Sequence, residues 1–185
     1  HMLEPLSENR NARIRLINKR IFSYRIRRDL QFLKPDGSNQ SRFKNLDAPH
    51  FGEGITILND TIYQITWQSN VCFLYDMDFN KIGELQYEGE GWGLCNNGKS
   101  IIMTSGDSEI VWRNPKTFEI EKSIYAFNDQ TDITQLNEIE LINDKLYINV
   151  YTTNNIIEVD TMSGKVLSNI DCTNISIDGR SDGSD

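Results

Sequence analysis

The sequence predicts an all-β fold built from propeller blades, and three observations carry that prediction. Short runs alternate apolar and polar residues and are rich in β-branched and aromatic side chains, the period-2 pattern of half-buried strands. Asn, Asp and Gly punctuate the runs, and these residues tolerate the positive φ that tight hairpins demand. The whole pattern then recurs three times. The equivalent turn starters Asp76, Asn114 and Asp160 stand 38 and 46 residues apart, close to the period of about 40–50 residues expected for one blade.

Each repeat can be read strand by strand. The first holds Thr61-Ile62-Tyr63-Gln64-Ile65-Thr66-Trp67, then Val71-Cys72-Phe73-Leu74-Tyr75-Asp76, then a turn into Lys81-Ile82. The second holds Ser100-Ile101-Ile102-Met103-Thr104-Ser105-Gly106, Glu109-Ile110-Val111-Trp112-Arg113-Asn114, and a last run to Ile120. The third holds Lys145-Leu146-Tyr147-Ile148-Asn149-Val150-Tyr151, Asn155-Ile156-Ile157-Glu158-Val159-Asp160, and a last run to Val166. Asn59-Asp60, Asn96-Asn97-Gly98, Asn143-Asp144 and Ser163-Gly164 are the predicted turns. After Asn45 no stretch has a helical period.

Composition sets the limits. The 185 residues are 38% hydrophobic, enough for one or two ordinary domains. No apolar run is long enough to predict a transmembrane helix. Charge is uneven: residues 1–45 carry eleven Lys/Arg against four Asp/Glu, a net of +7, and the remainder carries −15. Three regions follow: a basic arm over 1–45 with a remnant or divergent first blade, blades over 46–172, and a polar tail over 173–185 that is predicted to be disordered. A basic arm can bind nucleic acid. The plainer alternatives are an amphipathic edge or an arm docked on the acidic body, and no nucleic-acid partner is expected. Cys72, Cys95 and Cys172 have no ligand spacing and read as buried or partly buried thiols. Two histidines are too few for a His-based metal centre.

The unusual residues gather at one edge of each repeat. Phe51-Gly52-Glu53-Gly54 puts a carboxylate between two glycines, where the backbone approaches a neighbour closely. The layout recurs as Gly89-Glu90-Gly91-Trp92-Gly93-Leu94, and Leu136-Asn137-Glu138-Ile139-Glu140 opens the third repeat. Taken singly, Glu53 reads as a loop carboxylate, Asn137 as a turn cap and Trp67 and Trp92 as blade core. Glu138 and Glu140 share a face in a regular strand and read as structural; Trp112 reads as packing.

These stretches, with Gln64-Ile65-Thr66-Trp67, stand in the order and spacing of the plant-type glutaminyl cyclases, and residues 45–172 resemble that glutaminyl-peptide cyclotransferase family. The resemblance implies a five-bladed β-propeller of which about three blades are clear here. It implies conversion of the N-terminal Gln of peptides or proteins to pyroglutamate with release of ammonia, without metal or cofactor. It assigns Glu53 as proton relay and Asn137 as a polar group on the substrate, and makes Trp67, Trp92 and Tyr151 the aromatic lining. It also implies a secretory, extracellular, vacuolar or periplasmic setting. Two family motifs are absent: the first-blade Phe-Thr-Gln-Gly, near whose place stands Arg28-Asp29-Leu30-Gln31-Phe32, and the last-blade Gly-Lys-x-Trp-Pro. Three repeats also fall short of the four to eight blades that close a ring. The alternative expectation is therefore a catalytically silent propeller that binds a peptide or protein partner.

Overall fold

The structure is a computed structural model that describes residues 29–33, 39–46, 49–129 and 131–174. The described residues hold fourteen strands and no helix. Strands β1 (Asp29–Leu33) and β2 (Asn39–Asn45) pair antiparallel in a small sheet of their own. Twelve strands then form three four-stranded antiparallel sheets in sequence order. Sheet I is β3 (Gly52–Leu58), β4 (Thr61–Thr66), β5 (Val71–Tyr75) and β6 (Lys81–Gln86). Sheet II is β7 (Leu94–Asn96), β8 (Ile101–Thr104), β9 (Glu109–Arg113) and β10 (Ile120–Tyr125). Sheet III is β11 (Leu136–Ile142), β12 (Lys145–Val150), β13 (Asn155–Asp160) and β14 (Val166–Asp171). The three runs aligned in the sequence are β4, β8 and β12, the second strand of each sheet. Residues 1–28 of the basic arm and 175–185 of the tail lie outside the described residues.

The turns follow from the predicted residues. Asn59-Asp60 and Asn143-Asp144 all have positive φ, between 48° and 60°, and join their strands as two-residue hairpins. Between third and fourth strands an Asx turn recurs. The Asp76 carboxylate accepts the amides of Asp78 and Asn80, that of Asp160 accepts those of Met162 and Ser163, and the side-chain oxygen of Asn114 accepts those of Lys116 and Thr117.

Sheet II is buried on both faces, so its central strands show little of the hydrophobic-in, polar-out alternation. Ile101, Met103 and Val111 pack on Tyr63, Ile65 and Cys72 of sheet I. The intervening Ile102, with Ile110 and Trp112, packs on Ile139, Leu146, Ile148 and Val159 of sheet III. Adjacent Ile101 and Ile102 are both fully buried, one in each interface. Each such side chain contributes about 1.5–3 kcal/mol. Trp112 is therefore core, with the Lys122 ammonium 4.5 Å from its ring centroid. The remaining face of sheet I covers Leu46, which follows β2. The fourth strands are mostly exposed, and residues such as Lys81, Glu84, Glu121 and Lys122 blunt their open edges.

The first strands face one another. β7 packs against both β3 and β11. The Asn96 amide donates to Thr56 Oγ1 at 2.7 Å and to the Ile57 carbonyl at 3.0 Å, tying β7 to β3 at one end. The residues singled out in the sequence lie at the other end.

Candidate active site at the inner-strand bulges

Every first strand carries one extra residue at the same place. In sheet I, Gly52 pairs with Thr66 and Ile55 with Gln64, so Glu53-Gly54 forms a β-bulge. In sheet III, Leu136 pairs with Val150 and Ile139 with Ile148, which puts the bulge at Asn137-Glu138. In sheet II the Trp92 amide donates to the Thr104 carbonyl at 3.0 Å, while the Thr104 amide donates to the Gly93 carbonyl at 3.1 Å. Two residues again oppose one. Glu53, Trp92 and Asn137 are thus equivalent positions on three neighbouring strands, and bulges are where a sheet re-aims a side chain. This corrects the alignment suggested by the glycines. Gly52-Glu53-Gly54 matches Gly91-Trp92-Gly93, whereas Glu90 matches Phe51 and Gln135.

Close backbone approach brings the bulges together. The Gly54 amide donates to the Trp92 carbonyl at 2.8 Å. A Cβ on Gly54 would lie 2.6 Å from the Leu94 nitrogen, so only glycine fits there. Gly93 is equally confined, against the Asn137 carbonyl and 2.9 Å from Glu138 Cα. Thr104 links the same strands: its Oγ1 accepts the Gly93 amide at 2.9 Å and donates to the Asn137 carbonyl at 2.6 Å. Within this frame Glu53 is buried at 8% exposure, while Trp92 and Asn137 are half-buried.

The aromatic residues come from the ends of the second strands. Trp67, Gly106 and Tyr151 occupy equivalent positions, and Trp67 and Tyr151 are exposed. Gly106 has φ +88° and no side chain, and the Trp92 indole lies over it; a Cβ there would stand 2.7 Å from the ring. Trp92 then meets Tyr151 edge-on, with centroids 5.5 Å apart, and Phe51 meets Trp67 at 6.2 Å. Below Trp67, the Tyr87 hydroxyl donates to the Thr66 carbonyl and accepts the Thr66 amide. Burial pushes this phenol up to about 12, so it stays a donor at neutral pH.

The five residues assigned from the sequence therefore gather in one region. Glu53, Trp92 and Asn137 hold the bulges, and Trp67 and Tyr151 stand at the adjoining strand ends. Two participants were missed. Thr104 looked like an ordinary strand residue. Glu90 accepts the indole N–H groups of both Trp67 and Trp92, at 2.8 and 2.9 Å, and the Gln68 amide at 2.9 Å. The hydrogen bonds from Gln68 and Trp92, then that from Trp67, hold its carboxyl below the usual glutamate range. Its spacing two residues before Trp92, between glycines, was the available signal.

Among the described residues, no group of three or more His, Cys, Asp or Glu side chains is placed to hold a metal ion. No described helix is long and apolar enough to cross a membrane. Cys72 and Cys95 are buried free thiols and Cys172 is partly exposed, as expected. Burial raises the Cys72 pKa, which keeps that thiol protonated.

Comparison with known proteins gives the region a context. The glutaminyl-peptide cyclotransferase of Arabidopsis thaliana is 30% identical over 127 residues, which is 67% of this chain and 39% of that protein. The chain thus spans well under half the length of this curated relative. Among solved structures, Myxococcus xanthus glutaminyl cyclase matches with a TM-score of 0.72 and 24% identity, over 78% of this chain and 62% of that one. Hydrazine synthase of Kuenenia stuttgartiensis matches with a TM-score of 0.52 and 15% identity, over 77% of this chain and 42% of that one. These likenesses bear on the fold. The sequence pattern of the glutamine cyclotransferase family matches residues 26–185, and on that match the chain belongs to this family.

Proposed function

We propose that the protein is a metal-independent glutaminyl-peptide cyclotransferase, acting on peptides or proteins with N-terminal Gln. The observation that carries this reading is the buried carboxylate of Glu53 at an inner-strand bulge, equivalent in position to Trp92 and Asn137, in a chain of this family. The three sheets, with their first strands side by side, also support a five-bladed propeller for the whole protein.

The reaction needs few groups. The α-amine of the substrate, with an ordinary pKa of about 8, attacks the carbonyl carbon of its own side-chain amide. A carbon–nitrogen bond forms, closing a five-membered lactam. The bond from that carbon to the amide nitrogen breaks, and the nitrogen leaves as ammonia. One proton must pass from the attacking to the departing nitrogen. Glu53 takes it as a base and returns it as an acid, a relay that one buried carboxylate can perform. Charge gathers on the carbonyl oxygen during attack, and in this reading the Asn137 amide donates to it. Trp67, Trp92 and Tyr151 supply apolar faces for the neutral glutaminyl side chain and displace water from it. A secretory, extracellular, vacuolar or periplasmic setting fits this reading, with Cys72 and Cys95 shielded by burial.

Ammonia release from a Gln-initiated peptide is the test. Glu53→Gln keeps the size but removes the relay, and turnover falls about 10²–10⁴-fold with the melting curve retained. EDTA and 1,10-phenanthroline leave turnover unchanged. A Glu53→Gln protein at wild-type rate, or turnover abolished by chelators, refutes the mechanism. Peptide binding without turnover in the wild type supports a silent propeller instead.

A further inference from the structure

We propose that Glu90 is a positioning residue whose carboxylate clamps the two indoles, Trp67 and Trp92, that wall the substrate pocket. The proposal rests on the function given above and adds a residue that sets how tightly the glutaminyl side chain is held.

An indole N–H can only donate. Both indole nitrogens point to the same oxygen, Oε2 of Glu90, at 2.8 Å from Trp67 and 2.9 Å from Trp92. Those two bonds fill the two lone pairs of that oxygen. Oε1 accepts the Gln68 side-chain amide at 2.9 Å. A carboxylate so occupied has little capacity left for a ligand, which makes it a clamp and not a binding group. It also joins separate pieces of chain: Trp67 and Gln68 follow β4 in sheet I, while Glu90 and Trp92 lead into β7 of sheet II. The backbone holds the clamp in place. The Gly91 amide donates to the Trp67 carbonyl at 2.9 Å, and Gly89 has φ +85°. A Cβ on Gly91 would fall 2.9 Å from the Thr66 carbonyl oxygen. Trp67 is 41% exposed, so packing alone does not fix its ring. The carboxylate sets the ring plane, and it does so without touching the reacting atoms.

The clamp needs an acceptor and not a charge, and this separates it from an electrostatic role. In Glu90→Gln, the new amide oxygen can take both indoles, and Gln68 can turn its own amide to accept the new N–H₂ group. In Glu90→Ala nothing accepts them. Near-UV circular dichroism of the peptide-free 185-residue chain reads ring immobilisation directly. The tryptophan bands weaken in Glu90→Ala and return in Glu90→Gln. With a Gln-initiated peptide, Glu90→Ala raises KM about 10-fold, and kcat stays within about 3-fold of wild type. Glu90→Gln recovers most of the lost KM. Unchanged near-UV bands in Glu90→Ala overturn the proposal, whatever happens to turnover. So does a loss confined to kcat, or Glu90→Gln behaving like Glu90→Ala. A wild-type chain that neither binds nor cyclises the peptide counts against the function above. The peptide-free spectra still decide whether Glu90 holds the indoles.

Discussion

Replacing Gly93 with alanine adds one methyl group where sheets II and III meet, at the bulge that carries Trp92. That methyl would fall on the Asn137 carbonyl oxygen, 2.7 Å from Thr104 Oγ1 and 2.9 Å from Glu138 Cα. Two of these three atoms belong to the backbone, so a rotamer change at Thr104 leaves two of the contacts unrelieved. Overpacking of this kind costs about 1–3 kcal/mol. Displacing Thr104 also strains its two hydrogen bonds, each worth about 1 kcal/mol. A net loss of about 3 kcal/mol lowers the melting temperature of a chain this size by about 6–12 °C. Gly83→Ala is the matched control. Its Cβ would meet nothing nearer than Leu74 Cδ1, at 3.5 Å, an ordinary contact. Gly83 lies in β6 without positive φ, so alanine there stabilises by about 0.4–1 kcal/mol through the unfolded chain. Thermal melts of the two variants followed by far-UV circular dichroism give the comparison. If Gly93→Ala melts within about 2 °C of Gly83→Ala, the bulges are not in the close contact described, and the assembled site fails with them.

Further outcomes are open to direct measurement. Asn137→Ala lowers kcat for a Gln-initiated peptide by about 10²–10³-fold while the melting curve holds; a change in KM alone makes Asn137 a substrate-positioning group instead. Gly106→Ala pushes the Trp92 indole off its seat, so the near-UV tryptophan bands weaken, and unchanged bands would contradict the packing of that ring. Hydrogen bonds from the Ser163 amide and hydroxyl depress the Asp160 pKa, so its contribution to stability is complete above about pH 4 and disappears as pH falls through the folded-state value. Asp160→Asn keeps a turn cap of the kind Asn114 provides, without the charge. Its melting temperature therefore lies below wild type at neutral pH and converges on it in acid, and a constant gap between the two would refute the assignment.

The sheets were legible because their signals are local. Asn59-Asp60 and Asn143-Asp144 call for positive φ wherever they stand, and alternation in β12 marks one face for burial. The site was legible only in part, because a bulge breaks the two-residue period that strand reading depends on. Glu53 and Glu90 sit in the same Gly-Glu-Gly string, yet the extra residue in each first strand pairs Glu53 with Trp92. Glu90 was passed over because its role depends on two indoles from different sheets reaching one oxygen, a meeting that no spacing in the chain encodes. Thr104 was invisible for a similar reason, since its hydroxyl acts on the backbone of sheets II and III and on no side chain. The repeated four-stranded pattern, in contrast, needed only the order of turns and runs.

The Thr104 hydroxyl has a consequence for how sequence changes combine. It accepts a hydrogen bond from the Gly93 amide and donates one to the Asn137 carbonyl, so a shift on either side is passed to the other. Effects of substitutions sharing a hydrogen-bonded network do not add, and interaction energies of about 0.5–3 kcal/mol are usual. Glu53, Trp92 and Asn137 lie far apart in the chain, and scanning them singly would suggest three independent contributions. A double-mutant cycle between Thr104→Val and Gly93→Ala should instead show strong non-additivity, because the methyl added at Gly93 would stand 2.7 Å from Thr104 Oγ1. For the evolution or redesign of this region, the practical unit of variation is the joined trio of strand ends, because a change tolerated in one background will be rejected in another.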